Sequence, residues 1–497
     1  MQVKDNNGRP VNVAMLVVTL ITGVFITVLN QTILATAFPT LMKAFDISTA
    51  TVQWLTTGFL MVNGIMIPVS AYLSAKVPTK WLYIAAMSMF ELGTVIAFMA
   101  NSFPMLLIGR LVQALGVGVT MPLLQNIMLS IFPMEKRGTA MGLAGIAIGV
   151  APAIGPTLSG FVIDNFGWRT LFGMIIPVAA LVLIASFFFM RDVLPNTNPS
   201  IDVLSLIEST IGFGALLYGF SEVGNKGWGD PIVLGSIALG AIVIALFSMR
   251  QLHLKNPFVQ IRVFTNRTFT LSTILGSIAN MAMVGAEMVI PLYLQIIHGK
   301  SALESGLTLL PGALLIALMS PVTGAVFDRI GARRLAQLGL FLLAIATVPY
   351  AFITATTPSI YITVLYAVRM FGVSMVMMPL TTNGMNALSG EMIRHGTAVN
   401  NTVRQVATSM TTAIMVSVLT NVTNSAKPAA SLLKLDPLAY KHDFFNATLS
   451  GYHAAFWIAT GFSAVGFILA FFLNKKEHSK DVDVAELADA DRKEAAE

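Results

Sequence analysis

Gly145-Ile-Ala-Ile-Gly149-Val-Ala-Pro152-Ala-Ile-Gly155-Pro156-Thr-Leu-Ser-Gly160 is a glycine- and proline-broken run inside an apolar segment of helix length. Gly costs about 1 kcal/mol and Pro about 3 kcal/mol in the interior of a soluble helix. In a bilayer, neighbouring helices re-satisfy the loosened backbone, and small side chains let two backbones approach closely. The run therefore reads as a bending, tightly packed membrane helix, and the chain as an all-α polytopic membrane protein.

Composition leads to the same class. Of the 497 residues, 55% are hydrophobic and 11% are charged, a balance that excludes a soluble domain. Without cysteine there is no disulfide framework and no thiolate metal site. The six His residues are scattered, so no metal site is expected. The net charge of +6 sits in short loops between apolar spans, which makes it a topology signal and not a nucleic-acid surface.

Counting apolar stretches of about 20 residues gives about fourteen spans. They begin near Val13, Thr51, Trp81, Pro104, Thr139, Thr170 and Val203, then near Pro231, Thr268, Gly306, Leu335, Ser359, Val399 and Tyr452. With both termini cytoplasmic, the inner segments hold about twenty Lys and Arg and the outer ones about seven, as the positive-inside rule requires. The triplet Ala35-Thr36-Ala37 mimics a signal-peptidase site, but the preceding apolar stretch is too long for a signal-peptide core, so it stays as the first helix. Residues 421–451 form the longest external connection, expected as a partly ordered surface hairpin, and the tail from Asn474 is charged and Ala-rich.

An internal repeat organises the chain. Gly324-Ala-Val-Phe-Asp328-Arg329-Ile-Gly331-Ala-Arg333-Arg334 occupies an inner loop, with an acid and bases placed to pair with a helix end. A degraded counterpart, Ala71-Tyr-Leu-Ser-Ala75-Lys76-Val-Pro78-Thr-Lys80, follows the second span. Arg110-Leu-Val-Gln113-Ala-Leu-Gly116 in the fourth span is echoed by Arg369-Met-Phe-Gly372 in the twelfth. Two halves with equivalent parts are the signature of alternating-access transporters.

These motifs resemble those of the major facilitator superfamily, and specifically its fourteen-helix drug:proton antiporters of the EmrB/QacA type, with an LmrB-like helix-1 sequence. The resemblance rests on Leu29-Asn30-Gln-Thr32 through Pro39, the fourth- and fifth-span motifs, Trp168-Arg169, Gly227-Trp228, Pro291-Leu-Tyr-Leu-Gln295 and Gly306 through Pro311. It implies a cytoplasmic N-terminus (1–12), a six-helix bundle (13–190), two inserted helices (203–250), a second six-helix bundle (268–473) and a cytoplasmic tail (474–497). The Gly-Pro pair at 155–156 matches the antiporter signature and makes export the leading expectation. Two departures stand out: Asn30 replaces an aspartate that many relatives carry, and Ala75 replaces the acid of the first inner loop.

Ionisable residues inside spans are functional candidates by default. Glu287 leads for proton coupling because Asn280, Glu287 and Gln295 recur on one helical face. Arg110, Glu91 and Glu222 follow, with interhelical pairing as the competing reading for Glu91 and solvation for Glu222. A substrate cavity is expected from Asn30, Thr27, Asn63, Gln113, Asn280, Gln295, Arg369, Asn383 and Arg404. The conformational motifs are Gly149, Pro152, Gly155, Pro156 and Gly160, with Gly324, Asp328, Arg329, Gly331 and Arg333. No Walker loop, hydrolase elbow or metal-ligand spacing competes, so no enzyme activity is expected.

The expected function is proton-coupled export of amphipathic organic compounds from the bacterial cytoplasmic membrane. The expected protein is a monomer in the lipid bilayer, with no cofactor beyond the proton gradient and no nucleic-acid partner. The alternatives are a dedicated exporter of a metabolite, lipid or nucleotide-like anion, served by the arginines, and a transport-dead receptor or scaffold.

Overall fold

The computed structural model describes residues 4–34, 37–197, 202–254 and 257–474. Fourteen helices lie across it: α1 (Val13–Thr32), α2 (Thr49–Lys76), α3 (Thr79–Phe98), α4 (Phe103–Ile131), α5 (Arg137–Phe166), α6 (Thr170–Phe189) and α7 (Val203–Lys226). The second seven are α8 (Pro231–His253), α9 (Arg267–Ile296), α10 (Ala302–Ile330), α11 (Ala332–Thr347), α12 (Ser359–Asn386), α13 (Met392–Ala426) and α14 (Pro437–Leu469). Thirteen are long and apolar enough to cross a membrane as they stand, and the bent α5 makes fourteen. The signal-peptidase-like pair Ala35-Thr36 and the tail beyond Asn474 lie outside the described residues.

The packing repeats with a shift of eight helices. In the first six helices α1 contacts α5 and α6, α2 contacts α4, and α3 contacts α4 and α6; α9 to α14 reproduce each of these pairs. The chain is thus two pseudo-symmetric six-helix bundles, with α7 and α8 as an inserted hairpin. Local chemistry sets the ends of these helices. Asp230 accepts the Ile232 and Val233 N–H groups ahead of α8, where Pro231 loses no helical donor. Ser301 and Glu304 form a capping box at α10.

Backbone breaks follow proline. The two limbs of α5, before Pro152 and after Thr157, differ in direction by 43°. Of Pro156 only the backbone is described. Helix α12 is interrupted between Ser374 and Met377. Pro379 lacks the N–H that would bond the Met375 carbonyl and crowds that oxygen, which lies in the gap.

The external connection expected over 421–451 is mostly helix. Helix α13 runs 35 residues to Ala426, a short helix covers Ala430–Leu435, and α14 starts at Pro437, capped by the Asp436 carboxylate on the Leu438 and Ala439 N–H groups. At 1.5 Å per residue both long helices exceed a hydrocarbon core of about 30 Å. Hydropathy marks the apolar part of a helix, and it is blind to turns that continue into water.

The two seams between the bundles differ. Helices α5 and α10 lie against each other from end to end, through small residues. A Cβ at Gly142 would strike the Ser320 carbonyl, one at Gly149 would lie 2.6 Å from Ile316 Cγ2, and one at Gly306 would strike the Thr157 side chain. On the other side α7 leans against both α2 and α13. Trp54 stacks on Tyr218 at 5.8 Å, Thr57 shares a 2.7 Å hydrogen bond with Ser221, and Phe220 and Val223 pack with Ala413.

Candidate functional site: a polar centre and a closed basic end

The fourth helix carries Arg110 into the interior with no exposure. Its Nη1 donates to Gln113 Oε1 at 2.8 Å and to the Asn30 carbonyl of α1 at 3.3 Å, and its Nε donates to the Leu55 carbonyl of α2 at 3.4 Å. Gln113, one helical step along, donates onward to Thr94 of α3 at 2.8 Å. The Phe59 ring covers the guanidinium at 4.1 Å. One side-chain network therefore joins the first four helices. The Asn30 amide itself makes no hydrogen bond, although it is fully buried.

The second bundle repeats this plan with different chemistry. Arg369 of α12, also fully buried, donates to the Ala282 carbonyl of α9 and to Thr347 Oγ1 of α11, both at 2.9 Å. Ala282 thus stands where Asn30 stands in the first half, and Thr347 where Thr94 stands. Glu287, five residues along α9 from Ala282, is half-buried and within electrostatic range of Arg369. It forms no direct ion pair there among the described residues. Tyr366 and Tyr350 share that electrostatic neighbourhood.

Between these centres α13 presents a polar stripe. Asn401 donates to Gln125 Oε1 of α4 at 2.7 Å, a bond that joins the two bundles. Asn280 of α9 donates to Thr408 at 2.6 Å, and Arg404, one turn below Thr408, has a buried Nη1 without an acceptor. Asn63 and Thr27 are buried, and Thr27 donates back to the Val24 carbonyl of its own helix.

Other candidates stand apart from this centre. Glu222, expected to be solvated, is largely buried and sits in a 3.2 Å ion pair with Lys226, one helical turn along α7. Glu91 on α3 has one buried carboxylate oxygen without a partner and forms no ion pair among the described residues. Gln295 is exposed beyond Pro291, so the face running from Asn280 through Glu287 does not extend to it. Asn383 bonds Ser272 at 2.9 Å near the other end of α9, away from Glu287. Gln125 and Asn126 of α4, with Glu208 of α7, were not among the sequence candidates. Their signal is plain in retrospect: polar side chains inside otherwise apolar spans.

The end that bears the N-terminus and the basic loops is closed. Asp328 lies in the last turn of α10, where a loop was expected, and caps α5 in trans, accepting from Gly138 N at 2.8 Å, Thr139 N at 2.9 Å and Thr139 Oγ1 at 2.7 Å. A carboxylate on the positive end of a helix is favourable by about 0.3–2 kcal/mol, more so where partly buried. Close approach is needed here, since a Cβ at Gly324 would strike the Gly138 carbonyl. Gly331, at φ 79°, turns the chain from α10 into α11 beside Arg329 and the half-buried Arg333. Arg137 adds a 3.0 Å bond to Asn386.

On the α2–α13 side, where Ala75 offers no acid, the linker at residues 191–197 forms a strap. Asn6 donates to the Asp192 and Leu194 carbonyls, Leu194 N to Thr79 Oγ1, and Thr197 N to the Ala75 carbonyl. Lys80 N donates to the Asp192 side chain, and Arg394 at the start of α13 donates to the Pro195 carbonyl at 3.0 Å. Every hydrogen bond described between the bundles falls between this basic end and mid-depth, the outermost being Gln405 to the Leu60 carbonyl at 3.5 Å.

Comparison with known proteins places this architecture. The Major Facilitator Superfamily model matches residues 20–412. The MFS-type transporter YcnB of Bacillus subtilis (strain 168) is 45% identical over 94% of this chain and 97% of its own length. The lincomycin resistance protein LmrB of the same organism is 39% identical over 93% of this chain and 95% of its own. Among solved structures, the human organic anion transporter MFSD10 superposes with a TM-score of 0.62 at 14% identity, over 92% of this chain and 99% of that one, a likeness of fold. The chain belongs to the Major Facilitator Superfamily, and is a multi-pass membrane transporter of small molecules, not an enzyme.

Proposed function

We propose that this transporter exports amphipathic organic compounds, lincosamide-like antibiotics among them, in exchange for protons across the bacterial cytoplasmic membrane. Its basic end faces the cytoplasm, as the Lys and Arg bias of the loops supports. No cofactor beyond the proton gradient is needed, and a monomer contains the whole path. The observation that carries the reading is the polar centre itself: Glu287 in electrostatic range of the buried Arg369 inside the second bundle, while the hydrogen bonds described between the two bundles run from the basic end to mid-depth. The resistance protein LmrB among its relatives supports a drug as cargo.

In this mechanism the conformation described is closed toward the cytoplasm. Protonation of Glu287 from outside weakens its attraction to Arg369 and favours release of cargo outward. Opening inward requires Asp328 to leave the α5 terminus and Arg394 to leave the strap. The test is purified protein in vesicles under an imposed pH gradient, with lincomycin and a panel of cationic, neutral and anionic dyes. Uphill movement of lincomycin or a dye that collapses with the gradient is expected; movement indifferent to the gradient sinks proton coupling.

Asp328→Asn tests the closed end. It keeps the shape but removes the charge from the helix terminus, a loss of about 1–2 kcal/mol that changes the inner-open population about tenfold. Because the native chain has no cysteine, one introduced at Gln125, where α4 meets α13, reports alone. It is expected to label faster from the basic side in Asp328→Asn; unchanged labelling would remove the carboxylate from the gate.

A further inference from the structure

Of the two equivalent buried arginines, only one has a counter-charge. Arg369 lies in range of Glu287. Arg110 has no exposure and forms no ion pair among the described residues. Its partners are all neutral: the Asn30 and Leu55 carbonyls, the Gln113 amide and the Phe59 ring. Leaving an ion unpaired in a low-dielectric interior costs several kcal/mol. Neutral acceptors offset only part of that.

The unfilled positions belong to two residues already in contact through the Asn30 carbonyl. Arg110 Nη2 has no acceptor, and neither polar atom of the Asn30 side chain has a partner, although Asn30 supplies the carbonyl that Arg110 Nη1 bonds. Bonds to Gln113, Asn30 and Leu55 fix the guanidinium plane, so the free Nη2 cannot swing toward another acceptor without breaking them. What remains is a fully buried positive group with unused N–H donors on two adjacent side chains. A water molecule would fill the hydrogen bonds but leave the charge.

We propose that Arg110 and Asn30 together bind a monovalent anion, either chloride from the medium or the carboxylate of an organic solute. The anion accepts from Arg110 Nη2 and Asn30 Nδ2 and supplies the charge that the first bundle lacks. The site goes beyond the export reading and is measured without transport, so each can fail alone.

The experiment follows thermal stability of the purified full chain as chloride replaces methanesulfonate at constant ionic strength, and separately as benzoate does. A ligand that binds only the folded state raises its stability with concentration. Asn30→Asp places a permanent carboxylate at the site and removes the need for the anion. Should that variant fail to fold, Gln113→Glu does the same through the 2.8 Å Nη1 contact. Saturable stabilisation of the wild type by chloride, absent from the carboxylate variant, establishes the site with the medium as source. The same pattern with benzoate alone makes an organic carboxylate the source. Wild type and variant responding alike to both salts overturns the proposal.

Discussion

Vesicles carrying Glu287→Gln are expected to lose export driven by an imposed pH gradient while substrate binding survives. The amide keeps the size and the hydrogen-bonding capacity of the carboxyl group but holds no exchangeable charge. Of the intramembrane acids, Glu287 alone combines a buried arginine in electrostatic range with a place on the helix that bonds that arginine. Glu222 is committed to Lys226, and Glu91 forms no ion pair among the described residues. The uphill rate should fall about tenfold or more with the substrate dissociation constant unchanged, the pattern of an interaction used only in the coupled step. Gradient-driven export persisting in the variant would move the proton elsewhere, with Glu91 and Glu208 next. Loss of binding together with export would make Glu287 a contact of the cargo.

The second large effect lies in the α5–α10 seam. Gly142→Leu should arrest transport at normal membrane abundance, because its Cβ meets the Ser320 carbonyl and lies 2.9 Å from Pro321 Cα, both backbone atoms that cannot rotate away. Overpacking in a rigid interior costs about 1–3 kcal/mol and here falls on the contact between moving bodies. Gly155→Leu makes the instructive comparison. Its Cβ would strike the Thr32 hydroxyl of α1, a partner in the same bundle, so its cost falls on the bundle's own packing. Wild-type export with Gly142→Leu at full abundance would show that the seam does not have to stay closely packed.

The contrast between those two glycines marks what the sequence made legible. A broken small-residue run announced a tightly packed membrane helix, and the count of spans and the pseudo-symmetric fold followed from hydropathy and the repeat. Which glycine meets which helix depends on the α5 bend and on tertiary contacts that no periodicity encodes. Asp328 was readable as an acid aimed at a helix end, but the terminus it caps lies 190 residues away. Arg110 and Arg369 announced themselves as charges in apolar spans; their neutral partners are mostly main-chain carbonyls, which leave no mark in side-chain chemistry. The Glu222–Lys226 pair, one helical turn apart, stood in the sequence and was not read. The stretch from 421 to 451 is mostly helical, which hydropathy does not mark because these turns lie outside the apolar stretches.

The strap at residues 191–197 is built largely from peptide groups: the carbonyls of Asp192, Leu194 and Pro195 and the N–H groups of Leu194 and Thr197. Side-chain replacement along it therefore leaves most of its bonds in place. Chain length is another matter. Consecutive Cα atoms lie about 3.8 Å apart, more than the whole length of any of these hydrogen bonds, so a single inserted or deleted residue puts every bond downstream of it out of register. Substitution tolerance and indel intolerance should thus separate in this segment, and a seven-residue stretch that reads as featureless linker would show itself only when its count is changed.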